Sequence, residues 1–155
     1  MTTVTYTPLT ADRLADYLRF FDTRAFVDNP RWAGCYCYFP LHDPARTEWG
    51  QRSASENRAA VTACIEAGSA RGLLAYQEGD VVGWCNAGPW SQFPMLRETP
   101  EPDADRLGVI FCFVVAPAWR GRGVAAGLLS AACDELRAQG LHIARAKPVK
   151  SAAGL

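Results

Sequence analysis

The residues best suited to chemistry lie together late in the chain, in the run Val114-Val115-Ala116-Pro117-Ala118-Trp119-Arg120-Gly121-Arg122-Gly123-Val124-Ala125. An apolar stretch leads into two glycines interleaved with arginines, and a helix-forming stretch follows. The first turn of an α-helix carries backbone N–H groups with no intrahelical partner, and the helix dipole places partial positive charge there. Glycine lets such a backbone approach a ligand with no Cβ in between, and Arg120 and Arg122 add full charges. The pattern predicts a cradle for a pyrophosphate. Other reactive side chains stand elsewhere. Cys35, Cys37 and His42 are of types that bind zinc, but no second ligand pair follows nearby in sequence, so buried thiols are the simpler reading. A covalent cysteine needs an activating base; the chain has only His42 and His142, neither in a supporting motif. Trp32, Tyr36, Tyr38, Phe39, Trp84 and Trp90 form an aromatic-rich set that either fills core or lines a ligand pocket.

Periodicity supplies the elements that hold this segment. Residues 107–115, Leu-Gly-Val-Ile-Phe-Cys-Phe-Val-Val, are continuously apolar and predict a central strand buried on both faces. A helix is expected over about 124–139, with Val124, Leu128, Leu129, Ala132, Cys133 and Leu136 inward and Gly140 as its stop. Residues 73–76 and 81–85 read as strands joined through Glu78-Gly79-Asp80, a hairpin. Between the hairpin and the central strand, residues 89–105 hold four prolines and four acids and predict a long surface loop. Upstream, residues 4–7 alternate like a strand, and Thr10 is placed to cap a helix carrying Leu14, Tyr17, Leu18 and Phe21. A second helix is expected over about 55–67, marked by Ala59, Ala60, Ala63 and Cys64 and ended by Gly68; residues 32–41 show no clear period. A last strand begins within 141–146. The order β-α-α-β-β-β-α-β predicts an α/β or α+β fold.

Composition narrows the class. At 155 residues and 49% hydrophobic, one domain with a full core is expected. No apolar run approaches the ~20 residues of a membrane-spanning helix. The 16 basic and 16 acidic side chains cancel, which argues against a nucleic-acid partner. The local exception is 117–150, where six basic groups face two acidic ones, enough for a small polyanion. Met1-Thr2-Thr3-Val4 has neither the basic nor the apolar part of a secretory leader. A cytoplasmic location with reduced cysteines is therefore expected.

The run Gly121-x-Gly123-x-x-Ala126 fits a dinucleotide fingerprint, but that fold wants it early in a βαβ series with an acid ~20 residues on. Here the following strand ends in Arg145, Ala146 and Lys147. The hexapeptide Arg120-Gly121-Arg122-Gly123-Val124-Ala125 instead resembles the acetyl-CoA-binding motif of the GCN5-related N-acetyltransferases (GNAT): Arg or Gln, two residues, Gly, one residue, Gly or Ala. Phe113-Val114-Val115 and Pro117 upstream and Leu128-Leu129 downstream extend the likeness. It covers residues 4–147 in element order and about 107–129 in sequence.

The resemblance implies a mixed, mostly antiparallel sheet with splayed central strands and helices on both faces. It implies acetyl-CoA as co-substrate and no metal. Phe113 and Val115 would meet the pantetheine arm, an N–H near Val114 would serve the oxyanion, and Arg120, Gly121, Arg122, Gly123, Val124 and Ala125 would hold the pyrophosphate. The reaction would be direct attack of a neutral amine on the thioester, which needs a proton acceptor, an oxyanion donor and an acid for the departing thiolate. The family often draws on a Tyr after the fifth strand or a Glu on the fourth. No Tyr follows Tyr76, and 107–115 has no Glu, which leaves Tyr36, Tyr38, His42, Cys112 or water. Trp84 and Asn86 would lie on the acceptor side. The family continues past its fifth strand with a helix and two strands, whereas here Lys147-Pro148-Val149-Lys150-Ser151 leads straight to Leu155. The chain is then short or truncated, or a partner completes the sheet, as in a homodimer. The expected function is N-acetylation of a primary amine on a small molecule. A non-catalytic acyl-CoA-binding module is the alternative, and an NADP-dependent oxidoreductase the third.

Overall fold

Five strands form one sheet in the order of the chain: β1 (Thr5–Pro8), β2 (Gly72–Gln77), β3 (Asp80–Pro89), β4 (Leu107–Val115) and β5 (Ile143–Ala146). The computed structural model describes residues 3–146. The first three junctions are antiparallel and β4 runs parallel to β5. Helices α1 (Leu14–Thr23) and α2 (Ala54–Glu66) cover one face, where Tyr17, Phe20, Val61 and Ile65 meet Trp84, Leu107 and Val109. Helix α3 (Val124–Ala138) covers the other, packing Val124, Leu128, Ala132 and Leu136 on Leu73, Ala75, Cys85 and Ile110. The result is the α/β architecture that the element order predicts, mostly antiparallel with helices on both faces.

Strand β4 departs from the expected two-sided burial. Residues 107–110 are buried, but 111–115 are only half-buried or exposed. Two causes combine. Opposite β4, Cys85 pairs with Phe113 and Ala87 with Ile110, so one residue of β3, Asn86, faces two of β4, Phe111 and Cys112. This one-residue bulge breaks the period-2 alternation. Before it, Leu107 and Val109 belong to the α1/α2 core; after it, Cys112 and Val114 pack there and Val115 packs on the α3 core. In addition, β5 pairs with β4 only from Leu107–Ile143 to Ile110–Ala146. Among the described residues the β5-side edge of 111–115 has no strand against it. Any continuation of β5, and with it the full extent of a fork and the short ending at 147–155, lies outside the described residues.

The helices follow their signals with local corrections. Thr10 does not cap α1: its hydroxyl bonds the Asp12 carboxylate, and a 3-10 turn (Ala11–Arg13) precedes the helix. Helix α2 opens one residue earlier than expected, because Ser53 and Glu56 form a capping box (Glu56 N–H to Ser53 Oγ 3.1 Å, Ser53 N–H to Glu56 Oε2 2.7 Å). Ser53→Ala is expected to lower stability by about 1 kcal/mol, read from the urea unfolding midpoint. The inward side of α2 is Asn57, Val61 and Ile65, with Cys64 packed at its margin, while Ala59 and Ala63 are exposed. Alanine gains too little from burial to orient a helix, whereas Asn57 is satisfied inside by Gly34 O (2.9 Å) and Arg52 Nε (2.7 Å). On α3 the buried stripe is narrower than expected: Leu129 is exposed and Cys133 half-buried.

The proline-rich segment after β3 is anchored by buried Trp90, Phe93 and Leu96 and folded into 3-10 turns (Trp90–Gln92, Pro94–Leu96, Ala104–Arg106). Arg97 pairs with Asp43 at 3.1 Å and Glu101 with Arg145 at 2.5 Å, tying this segment to the loop after α1 and to β5. Among the described residues no helix is long and apolar enough to cross a membrane.

Candidate functional site

The end of β4 delivers the chain into the turn that the sequence marks out. Ala116 N–H bonds Val82 O at 2.9 Å, a 3-10 turn follows (Pro117–Trp119), and Gly121 and Gly123 take φ of +73° and +81°. Side chains other than glycine rarely adopt this left-handed region. A Cβ built at either glycine meets no atom within 4 Å, so the surface above them is open. Gly123 is also the N-cap of α3; it offers no side-chain acceptor, and the first turn holds no acidic residue. Among the described residues the amides of Gly121 through Ala126 meet no backbone acceptor outside their helix. Unpaired donors thus converge at the positive end of a 15-residue helix, the arrangement that binds anions.

The two arginines play different parts. Arg120 donates through Nε to Val115 O (3.1 Å) and closes a two-pronged pair with Asp28 (Nη1–Oδ2 2.5 Å, Nη2–Oδ1 3.3 Å). Its side chain braces the turn against the loop after α1, and it holds the Asp28 carboxyl below the usual carboxylate range. Arg122 lies over the Trp119 ring at 4.9 Å and makes no ion pair among the described residues, which leaves its charge beside the open amides.

Across the sheet, on the α1/α2 face, lies a buried cluster of neutral polar and aromatic side chains. Trp84 and Asn86 of β3 are each 1% exposed. Trp84 stands edge-on to Tyr17 with ring centroids 5.0 Å apart, and Tyr17 Oη donates to Tyr36 O at 2.5 Å. Asn86 Nδ2 donates to Cys37 Sγ at 3.6 Å, and Gln92 Nε2 reaches Asn86 Oδ1 at 3.5 Å. Trp84 Nε1 and Gln92 Oε1 are buried without a hydrogen-bond partner. The Cys37 thiol is held well above its ordinary pKa, first by the neighbouring Cys112 thiol and then by burial. Burial and the neighbouring Cys37 push Cys35 up to about 11.

The side chains considered for proton transfer do not gather at one place. Tyr36 Oη donates to Asp22 at 2.6 Å beside Arg58, and burial and that carboxylate raise its pKa. Tyr38 packs near Trp49 and under Arg52. His42 is buried, with Nδ1 2.7 Å from Phe39 O. Only Cys112 belongs to β4 itself, at the bulge. Cys35, Cys37 and His42 join no group of three or more potential metal ligands among the described residues. Sequence reasoning missed Asp28, which reads there only as part of the break Asp28-Asn29-Pro30, and Gln92, hidden in the proline-rich segment.

Comparison with known proteins fits this geometry. The family model described as Acetyltransferase (GNAT) family matches residues 6–153. No curated protein matches the chain. Among solved structures, the aminoglycoside N-acetyltransferase AAC(6')-Iy in complex with CoA superimposes with a TM-score of 0.58 at 14% identity, covering 96% of this chain and 79% of that one. A GCN5-related N-acetyltransferase from Ralstonia eutropha JMP134 gives 0.56 at 17% identity, over 96% of this chain and 85% of its own. A ribosomal-protein-alanine N-acetyltransferase from Brucella melitensis biovar Abortus 2308 gives 0.58 at 15%, over 98% and 84%. With its family match running from β1 past β5, and with sheet and helices arranged as in these structures, the chain belongs to the GNAT family of acetyltransferases.

Proposed function

We propose that the chain works as one N-acyltransferase domain that moves an acetyl group from acetyl-CoA to a primary amine of a small molecule. The observation that carries this reading is the open, uncapped start of α3 beneath two left-handed glycines. The residues present suit coenzyme A. Amides of Gly121, Arg122, Gly123, Val124 and Ala125 would hold the diphosphate, with the Arg122 guanidinium adding charge and Arg120 bracing the turn. Exposed Phe113 and half-buried Val115 lie where no strand among the described residues covers the edge of β4, and a pantetheine arm would run there. The oxyanion donor expected near Val114 would be the amide of Phe113 or Val115, because the ladder that pairs Ala116 N–H with Val82 O turns the Val114 N–H toward Trp84. Trp84 and Asn86 are buried, so they would form the floor of the acceptor side rather than its surface.

The chemistry is a direct transfer. The amine lone pair attacks the thioester carbonyl, the C–N bond forms, the C–S bond breaks, and the proton lost by nitrogen balances the one gained by the thiolate. A small amine is favoured because two of the structures sharing the fold are aminoglycoside acetyltransferases. Six free thiols suit a reducing compartment, and we place the reaction in the cytoplasm.

Thermal unfolding and thiol release test this together. Acetyl-CoA at 100 times its Kd is expected to add about 2.7 kcal/mol, a rise in Tm of roughly 5–10 °C for a chain of this size, with no rise from NADPH. Thiol should then appear with at least one member of a primary-amine panel that includes aminoglycosides. Stabilisation without thiol release from any amine would favour a binding module, and no stabilisation at all would end the assignment.

A further inference from the structure

Cys37 and Cys112 come from distant parts of the chain to the same core beside Asn86, and two irregularities of backbone bring them there. Tyr36 and Cys37 are consecutive non-glycine residues at φ of +50° and +51°, a conformation costing of order 1–3 kcal/mol per residue unless its surroundings impose it. The Tyr17 hydroxyl, bonded to Tyr36 O at 2.5 Å, holds this turn from inside, and Cys37 is left 2% exposed. Cys112 is one of the two β4 residues that share Asn86 as their partner. Without the bulge, strand alternation would place residue 112 with Ile110 on the α3 side; with it, Cys112 packs on the α1/α2 core beside Cys37.

The surroundings give the two sulfurs different parts. Cys37 and Cys112 flank one side chain: Asn86 reaches Cys37 with its amide and stands across the bulge from Cys112. Asn86 Nδ2 stands 3.6 Å from Cys37 Sγ, and Asn86 and Trp84 both favour the Cys37 thiolate against the larger rise from Cys112 and burial. These donors would steady negative charge on Cys37 when it gives up its proton. Cys112 is half-buried and so within reach of a small oxidant; Cys37 is sealed. Cys85 belongs to the α3 core and takes no part.

We propose that Cys112 and Cys37 form a reversible disulfide when the protein meets a hydroperoxide, pinning the loop after α1 to β4. The Cys112 sulfur attacks the peroxide, the O–O bond breaks, an alcohol or water departs, and a sulfenic acid remains. The Cys37 sulfur then attacks that sulfur, the S–O bond breaks, and the hydroxide leaves as water with the Cys37 proton. Two thiols thereby give two electrons and two protons to one peroxide, and a dithiol reverses the change. The sulfurs must close to about 2.05 Å, which draws the loop onto the bulge. The cross-link itself does not depend on the acetyl-CoA reading. Its effect on turnover does, since the bulge borders the position given above to the thioester.

The test treats the whole protein with hydrogen peroxide, blocks remaining thiols, and maps peptides by mass. The expected result is a loss of about 2 Da, a linked peptide pair joining Cys37 to Cys112, and reversal by dithiothreitol. In Cys37→Ser the link should vanish while Cys112 is trapped as a sulfenic acid by dimedone; in Cys112→Ser both should vanish. Circular dichroism of each variant confirms that it is folded. Cys112 oxidised to a sulfinic acid with Cys37 still free in the wild-type protein would overturn the proposal, and so would a link through Cys35. In a second arm, acetyl transfer by the cross-linked protein should fall at least tenfold and return with dithiothreitol. Full turnover by cross-linked protein would overturn the pinning. If no amine is acetylated by the reduced protein, the acyltransfer reading fails and the peptide map still decides the disulfide.

Discussion

Gly123→Trp is expected to weaken acetyl-CoA binding by about 100-fold or more, the loss of two or three charge-assisted hydrogen bonds at roughly 1.5–3 kcal/mol each. Gly123 holds φ at +81° and its Cβ would enter open space, the space that the diphosphate is proposed to fill. An indole there blocks the amides while touching nothing in the free protein. Backbone strain is a competing explanation, and Gly140 separates the two. It sits just past the other end of α3 at φ +80°, also with open space around its Cβ. Gly140→Ala should therefore lose about 1 kcal/mol of stability from the same left-handed strain and keep its affinity. Titration calorimetry on both variants reads the difference. A folded Gly123→Trp protein with wild-type affinity would remove the cradle.

Trp84→Ala should be the most destabilising of the single changes considered, by about 3–5 kcal/mol, lowering Tm by roughly 10 °C or more. The indole is 1% exposed at the centre of the α1/α2 core, edge-on to Tyr17. Its far edge also explains Gly72: a Cβ there would lie 2.4 Å from Trp84 Cη2 and 2.2 Å from Cys85 O, so strand β2 has room for the ring only without a side chain. Truncation would leave a void that Gly72 cannot fill. Trp84→Phe should cost much less, because it retains most of the ring volume and discards an N–H that has no hydrogen-bond partner. Urea unfolding of both variants gives the comparison, and a loss under about 1 kcal/mol for Trp84→Ala would mean that the core closes over the gap.

What could be read from the residues depended on whether the physics left a periodic trace. Helix α3 was legible because Val124, Leu128, Ala132 and Leu136 recur at helical spacing between two glycines. The hairpin announced itself through Glu78-Gly79-Asp80, and the anion cradle through glycines at a strand-to-helix junction. Strand β4 was visible, but its bulge was not, since a run of nothing but apolar residues has no alternation to shift. The turn at Tyr36 and Cys37 was equally hidden, because side chains of these types give no warning of positive φ. The inner face of α2 left no clear trace, as its alanines outnumber the Val61 and Ile65 that orient it. The brace between Arg120 and Asp28 joins residues far apart in sequence, which no local pattern encodes.

The extra residue in β4 works as a phase shifter. The strand keeps two different appointments: its first half must bury Leu107 and Val109 under α1 and α2, and its second half must turn Phe113 and Val115 the other way. Both odd-numbered sets would share one side in a regular strand. The one-residue slip lets one uninterrupted hydrophobic segment be core at one end and accessible edge at the other, with no polar residue spent to mark the change.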